Sequence, residues 1–208
     1  MFAMARKGVA DLDKRNRVAS RESKYGKRLR RLTKGFKSAN GRPLNFKAYR
    51  SKEVNAFAMP DGSIRVYTGL MNKMSDSELV FVIGHEIGHV AEGHSKKRFK
   101  AALLAGAGRE ALGKWGGGKI SALSSSQLGD FVEVVINARF SQANEKQADD
   151  YGLKTLRRKG RNSNAAVTAL EKLGEGDAKR YGLTEALVST HPAPSDRANR
   201  IRKMIADS

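Results

Sequence analysis

From Glu78 to His94 the chain reads Glu-Leu-Val-Phe-Val-Ile-Gly-His-Glu-Ile-Gly-His-Val-Ala-Glu-Gly-His, and no other stretch constrains the fold as strongly. Leu79, Val82, Ile83, Glu86 and Val90 recur at steps of three and four, and apolar residues fill most of the remaining circumference. This is the pattern of a helix buried on nearly every side. Ser75 followed three residues later by Glu78 reads as a capping box that starts the helix ten residues before the first histidine. A buried helix carrying two imidazoles and a carboxylate needs a reason for them.

His85 and His89 are four apart, so on a helix they share a face, about 6 Å apart along the axis at ~1.5 Å rise per residue. One metal ion can be gripped by both. Glu86 projects beside the metal position rather than onto it, where it can hold and deprotonate a water. The spacing is the H-E-x-x-H pattern of zinc peptidases, although a pattern with three fixed positions also arises by chance. A third histidine of the metzincin type would fall at position 95, which is Ser95, and glycine would be wanted at 92, which is Glu92. The third ligand must therefore come from elsewhere.

A second long helix is expected from about Gln127 to Lys159, with Phe131, Val134, Val135, Ala138 and Phe140 on its core side. It carries Glu145, which can supply that third ligand. Asp149, one turn on, is placed to fix a ligand histidine by a hydrogen bond to its outward nitrogen. The same spacing also describes a solvated acidic face.

Other elements follow from local pattern. Asp11 to Lys37 reads as one amphipathic helix anchored by Tyr25, Leu29, Leu32 and Phe36, broken by Asn40-Gly41-Arg42-Pro43. Leu44 to Arg50, Val54 to Met59 and Ile64 to Thr68 read as three strands, the last two flanking the turn Pro60-Asp61-Gly62. Asn55, Ala56 and Phe57 are the candidate edge strand for pairing with a substrate backbone; an ordinary hairpin is the alternative. The metal helix is read as running on through Lys100, and the Ala/Gly-rich and Ser-rich stretches from 101 to 130 as flexible helix and loop, a candidate lid. Helices around Asn164 to Leu173 and from about Ser195 close the chain. The fold class is α+β, mainly helical, with a small sheet beside the metal helix; residues 1–43 form a basic helical arm and residues 44–208 the main domain.

The chain has 208 residues, enough for one well-cored domain, and its lack of cysteine excludes disulfides, thiolate catalysis and cysteine metal sites. It shows no apolar run long enough to span a membrane and no signal-peptide h-region at its start. The net charge is +19, and residues 1–52 hold 17 Lys or Arg against 3 acidic residues. An anionic membrane surface is a candidate partner for that segment, a solvated helix face the simpler account, and nucleic acid is not expected.

His85-Glu86-Ile87-Gly88-His89, then Glu145-x-x-x-Asp149, then His191-Pro192-x-x-x-x-Arg197 resembles the gluzincin metallopeptidase family that includes HtpX, the CAAX prenyl protease, BepA and LoiP. Val54-Asn55-Ala56-Phe57-Ala58 and Arg65-Val66-Tyr67-Thr68-Gly69-Leu70 also look like that family, so the resemblance covers about residues 44 to 205. It implies a zincin-like fold, one zinc ion per chain on His85, His89 and Glu145, and Glu86 as general base. It further implies Asp149 and Arg197 as supports, and His191 as a group that assists the oxyanion or occupies the open zinc position when its loop folds in. The implied activity is endopeptidase cleavage of unfolded or damaged proteins, with a cell-envelope location. Ser141 is followed by Gln142 where many members have arginine, which points toward the LoiP-like branch. The membrane spans of HtpX and the lipoprotein cysteine of LoiP have no counterpart here. A basic binding or chaperone-like module that keeps the fold without catalysis is the alternative.

Overall fold

The computed structural model describes residues 1–104, 124–174 and 186–207. Helices α1 (Phe2–Arg15) and α2 (Lys24–Leu32) open the chain in place of the single helix expected from Asp11 to Lys37. Between them the backbone gives up helical bonds for sheet bonds: Ala19 N–H donates to Ala48 O at 2.8 Å and Arg50 N–H to Arg17 O at 2.7 Å. Ser23 then restarts the helix by accepting from Gly26 N–H.

A short hairpin, β1 (Ser38–Ala39) with β2 (Arg42–Pro43), turns through Asn40 and Gly41, both with positive φ. Strands β3 (Asn45–Tyr49), β4 (Ala56–Ala58) and β5 (Ser63–Tyr67) form the expected three-stranded sheet. Their order is β3-β5-β4, with β3 parallel and β4 antiparallel to the central β5. Gly62 makes the β4–β5 turn at φ 89°, and a Cβ there would lie 2.2 Å from Pro43 O, so conformation and space both require glycine.

After α3 (Thr68–Lys73) comes the central helix α4 (Asp76–Ala91), buried from Glu78 through Val90. Both arms of its capping box form, and the Glu78 carboxylate also accepts from Thr168 and Lys172, which is how a charge is tolerated at that depth. The helix does not run on to Lys100. Gly93, with φ 72°, ends it, and α5 (His94–Leu104) begins there.

The expected helix from Gln127 to Lys159 is likewise two, α6 (Ser125–Asn137) and α7 (Gln142–Arg158). Ala138 is extended, Ser141 caps α7, and Phe140 N–H donates to Thr190 O at 3.1 Å, so the break turns Phe140 inward. Val134 is exposed rather than core. The candidate lid falls mostly outside the described residues; within them, α5 reaches Leu104 and a Ser124–Gln127 capping box starts α6. Helices α8 (Asn164–Gly174), α9 (Ala186–Thr190) and α10 (Pro194–Ala206) follow.

Two apolar clusters hold these elements. One surrounds α4 with residues of β3 to β5, α7, α8 and α10; the other joins Val9 and Leu12 of α1 to Tyr49, Phe57, Phe99 and Phe131. Asp13 of α1 takes both Nε (2.8 Å) and Nη2 (2.9 Å) of the buried Arg65 on β5, and Tyr49 OH at 2.7 Å. Helices α4 and α7 approach closely because glycine faces the contact from both sides: a Cβ on Gly88 would meet Ala148 Cα at 3.0 Å, and one on Gly152 would meet the Phe81 ring at 2.9 Å. That approach carries Glu145 to the histidines.

Candidate metal centre

His85 and His89 project from α4 as expected, and the start of α7 brings Glu145 against them. His85 Nε2 and His89 Nε2 are 3.0 Å apart. Glu145 Oε1 is 3.4 Å from His89 Nε2, and its Oε2 is 3.6 Å from His85 Nε2. His191, in the turn after α9, places Nδ1 3.2 Å from His85 Nε2 and 3.0 Å from Glu145 Oε1. All four side chains are buried. Donors bound tetrahedrally at about 2.0–2.1 Å are about 3.3–3.4 Å from one another, so this set fits around a single small cation.

The donors are held from behind. His85 Nδ1 lies 2.9 Å from Asp149 Oδ1, and Asp149 is in turn gripped by Arg197 through Nε (2.9 Å) and Nη2 (2.7 Å). Arg197 Nη1 also reaches Glu145 Oε2 at 2.6 Å and the His191 carbonyl at 3.4 Å, tying three parts of the site together. His89 Nδ1 lies 3.2 Å from His94 Nδ1, and His94 Nε2 lies 2.8 Å from Gln147 Oε1. Phe140 stacks on the His89 ring, centroids 3.7 Å apart and planes 16° apart, and the Arg98 guanidinium covers the same aromatic ring at 3.9 Å.

Burial opposes ionisation of Glu145 and Asp149, yet the neighbours win. His191 and His85 hold Glu145 far below the ordinary carboxylate range, and Arg197 lowers Asp149. Burial, with His85 and His191 nearby, pushes His89 well down, keeping its nitrogens neutral. Burial also lowers His85, but Glu145 and Asp149 outweigh it and raise the net value. Burial brings Arg98 down to about 10.

Glu86 is 1% exposed and neither carboxylate oxygen has a hydrogen-bond partner among the described residues. Its Oε1 is 3.6 Å from His191 Nε2. A buried carboxylate left in this state is costly unless something else binds there. Beside it lies a small cavity whose apolar wall is formed by Phe81, Val82, Leu170, Leu173, Leu187 and Val188.

Strand β4 is an edge strand, as expected, but of its three candidate residues only Ala56 turns its main-chain N–H and C=O away from β5. Asn55 O accepts from Tyr67 N–H, and Phe57 alternates with it toward β5, its ring packed on Tyr49 and Tyr67. The ends of the outer edge are occupied: Leu187 N–H donates to Val54 O at 3.4 Å and Ser95 Oγ to Ala58 O at 3.0 Å.

His94, Gln147, Phe140 and Arg98 were not singled out as site residues from the sequence. Five residues beyond His89, His94 would lie about 140° away on a continuous helix, and only the left-handed Gly93 folds it back. Part of the N-terminal charge is structural: Arg28 and Arg31 both pair with Asp76, and Arg15 with Asp11 and Asp130. No helix of the described residues is long and apolar enough to cross a membrane.

A mainly helical domain whose central helix presents two histidines to a glutamate on a neighbouring helix defines the class of metallopeptidases. Peptidase family M48 matches residues 20–205, and the chain belongs to it. It is 43% identical to the metalloprotease YcaL of Escherichia coli K12 over 205 residues, covering 98% of this chain and 79% of YcaL. It is 43% identical to the metalloprotease LoiP of the same strain over 199 residues, 95% of this chain and 77% of LoiP. The beta-barrel assembly-enhancing protease of that strain is 30% identical over 185 residues, 80% of this chain and 37% of that protein. The chain is thus a metalloendopeptidase of the LoiP-like branch.

Proposed function

We propose that the protein is a zinc endopeptidase acting on unfolded or damaged proteins of the cell envelope, with His85, His89 and Glu145 holding the ion and Glu86 as general base. The observation that carries this reading is the buried Glu86, whose carboxylate has no hydrogen-bond partner among the described residues, beside four donors whose atoms all lie within 4.8 Å of one another. Bound zinc would supply a Lewis acid that acidifies water and polarises the scissile carbonyl. Glu86 takes the proton of the attacking water and delivers it to the leaving amine. Asp149 and Arg197 keep His85 and Glu145 in place as charge moves. The substrate backbone pairs with Ala56, and an apolar side chain enters the cavity beside Glu86.

His191 takes the remaining donor position, while the strap that carries it also covers Val54 O through Leu187. This supports a closed resting state in which the His191 turn must withdraw before substrate enters. The exposed cations of residues 1–52, among them Arg17, Arg21, Lys34 and Lys37, add affinity for an anionic membrane surface. The deciding experiment measures metal content and casein degradation by the purified protein, with and without a chelator. Zinc at one per chain and chelator-blocked cleavage support the reading; a metal-free protein that binds casein without cutting it would establish the non-catalytic binding module instead.

A further inference from the structure

The His94–Gln147 pair lies behind the donor set, with His94 buried and Gln147 exposed, and has no part in the chemistry assigned above. Its hydrogen-bond roles can be worked out from the end nearest solvent. Gln147 Oε1 can only accept, so His94 Nε2, 2.8 Å away, carries a proton and donates. In neutral His94 that leaves Nδ1 as a lone pair. His89 Nδ1, 3.2 Å from it, must then be the donor: His94 lies outside the set of groups that could share an ion, so at this pair, unlike at the two Nε2 atoms, no cation can relieve two facing lone pairs. With its proton fixed on Nδ1, neutral His89 has its lone pair on Nε2, the atom that faces His85 Nε2 and Glu145 Oε1.

We infer that His94, oriented by Gln147, is a positioning residue that locks His89 in the tautomer and ring angle needed to bind the metal ion. The inference rests on the zinc reading of the site. His85 has a charged holder in Asp149, whereas His89 is buried in a neutral setting, with Phe140 on its face and His94 at its outward nitrogen. A neutral acceptor there fixes the proton without adding a fourth carboxylate to the interior, and Gly93 with its φ of 72° is the backbone device that delivers it.

The test compares zinc dissociation constants, by competition with a chromophoric chelator, and melting temperatures of the metal-free proteins. His94→Leu fills the space without an acceptor. His94→Asn restores an oxygen acceptor near the Nδ1 position, and Gln147→Leu removes only the group that sets the His94 tautomer. His94→Leu is expected to weaken zinc binding about 10–100-fold, the usual size of such an effect. His94→Asn should recover to within about threefold of wild type, and Gln147→Leu should fall between. Metal-free melting temperatures should change far less than zinc affinity. Wild-type affinity in His94→Leu, or equal weakening in Leu and Asn variants, would overturn the inference. Should His94→Leu not fold, Asn and Gln147→Leu still decide: wild-type affinity in Gln147→Leu, or a His94→Asn value weaker than it, would also overturn it. A wild-type protein that binds no zinc would instead remove the zinc reading itself.

Discussion

The contact between α4 and α7 gives a direct way to ask whether helix packing sets the metal site. Gly88→Ala would put a methyl carbon 2.9 Å from Tyr151 Cβ, 3.0 Å from Ala148 Cα and 3.2 Å from Ala148 O. Ordinary carbon contacts are about 3.5–4.0 Å, and two of these atoms belong to backbone, so α7 must retreat by roughly 0.5–1 Å. Ala148 is three residues from Glu145, and the carboxylate moves with it. Overpacking of this kind costs about 1–3 kcal/mol, offset by about 1 kcal/mol from the better helix propensity of alanine. The net loss of about 0–2 kcal/mol corresponds to a melting temperature lower by up to ~8 °C. Zinc affinity should fall about tenfold, as when support of a ligand is lost. Gly84→Ala is the control: its methyl meets the Thr155 side chain, ten residues or about 15 Å along α7 from Glu145, so it should disturb affinity much less. Thermal unfolding and chelator competition read both quantities. A Gly88→Ala protein that melts above wild type and binds zinc equally would refute the packing argument.

Three further outcomes are expected. Glu86→Gln should keep zinc bound while slowing casein cleavage by about 10²–10⁴-fold, and normal turnover by that variant would reject the general-base assignment. His191→Ala should raise cleavage by the reciprocal of the open fraction, about tenfold if one molecule in ten is open at rest; lower activity would show that His191 serves the chemistry instead. Arg65, Lys47 and Tyr49 hold Asp13 below its ordinary pKa against the opposing effect of burial, so its contribution is complete above about pH 4 and fades as pH falls through the folded value. Asp13→Asn should therefore cost about 3 kcal/mol at pH 7 by leaving Arg65 unpaired, with the gap to wild type closing in acid; a gap independent of pH in denaturant titrations would refute this account.

What was legible in the sequence had a local cause. The α4 capping box, its apolar circumference and the four-residue spacings of His85 with His89 and Glu145 with Asp149 all lie within one helix each, where periodicity fixes geometry. The failures share a different cause. Val18 and Ala19 leave a helical pattern because β3 offers them main-chain bonds, and the helix expected through Phe140 breaks because that ring has a place on His89. Gly93 was visible as a residue, but its positive φ matters only because His94 then meets an imidazole from the preceding helix. Each missed feature is a long-range partner that outweighs a local preference of about 1 kcal/mol or less per residue.

The same balance of local and long-range effects explains the charges of the centre. Among the described residues around it, Glu86, Glu145 and Asp149 are buried carboxylates, and Arg98 and Arg197 are buried guanidinium groups. Arg197 contacts two of the carboxylates directly, whereas Glu86 has no hydrogen-bond partner. Counted with neutral imidazoles, as metal binding would require, three carboxylates against two guanidinium groups leave one excess negative charge, which is expensive in a medium of low dielectric. The nitrogens of His89 and His191, 3.0 and 3.2 Å from His85 Nε2, add converging dipoles rather than relief. A divalent cation among the donors reverses that sign and screens Glu145, while Glu86 lines the cavity beside them. The unfavourable features of the protein alone, a buried carboxylate without a hydrogen bond and crowded imidazoles, are thus the features that a cation and a water molecule relieve together.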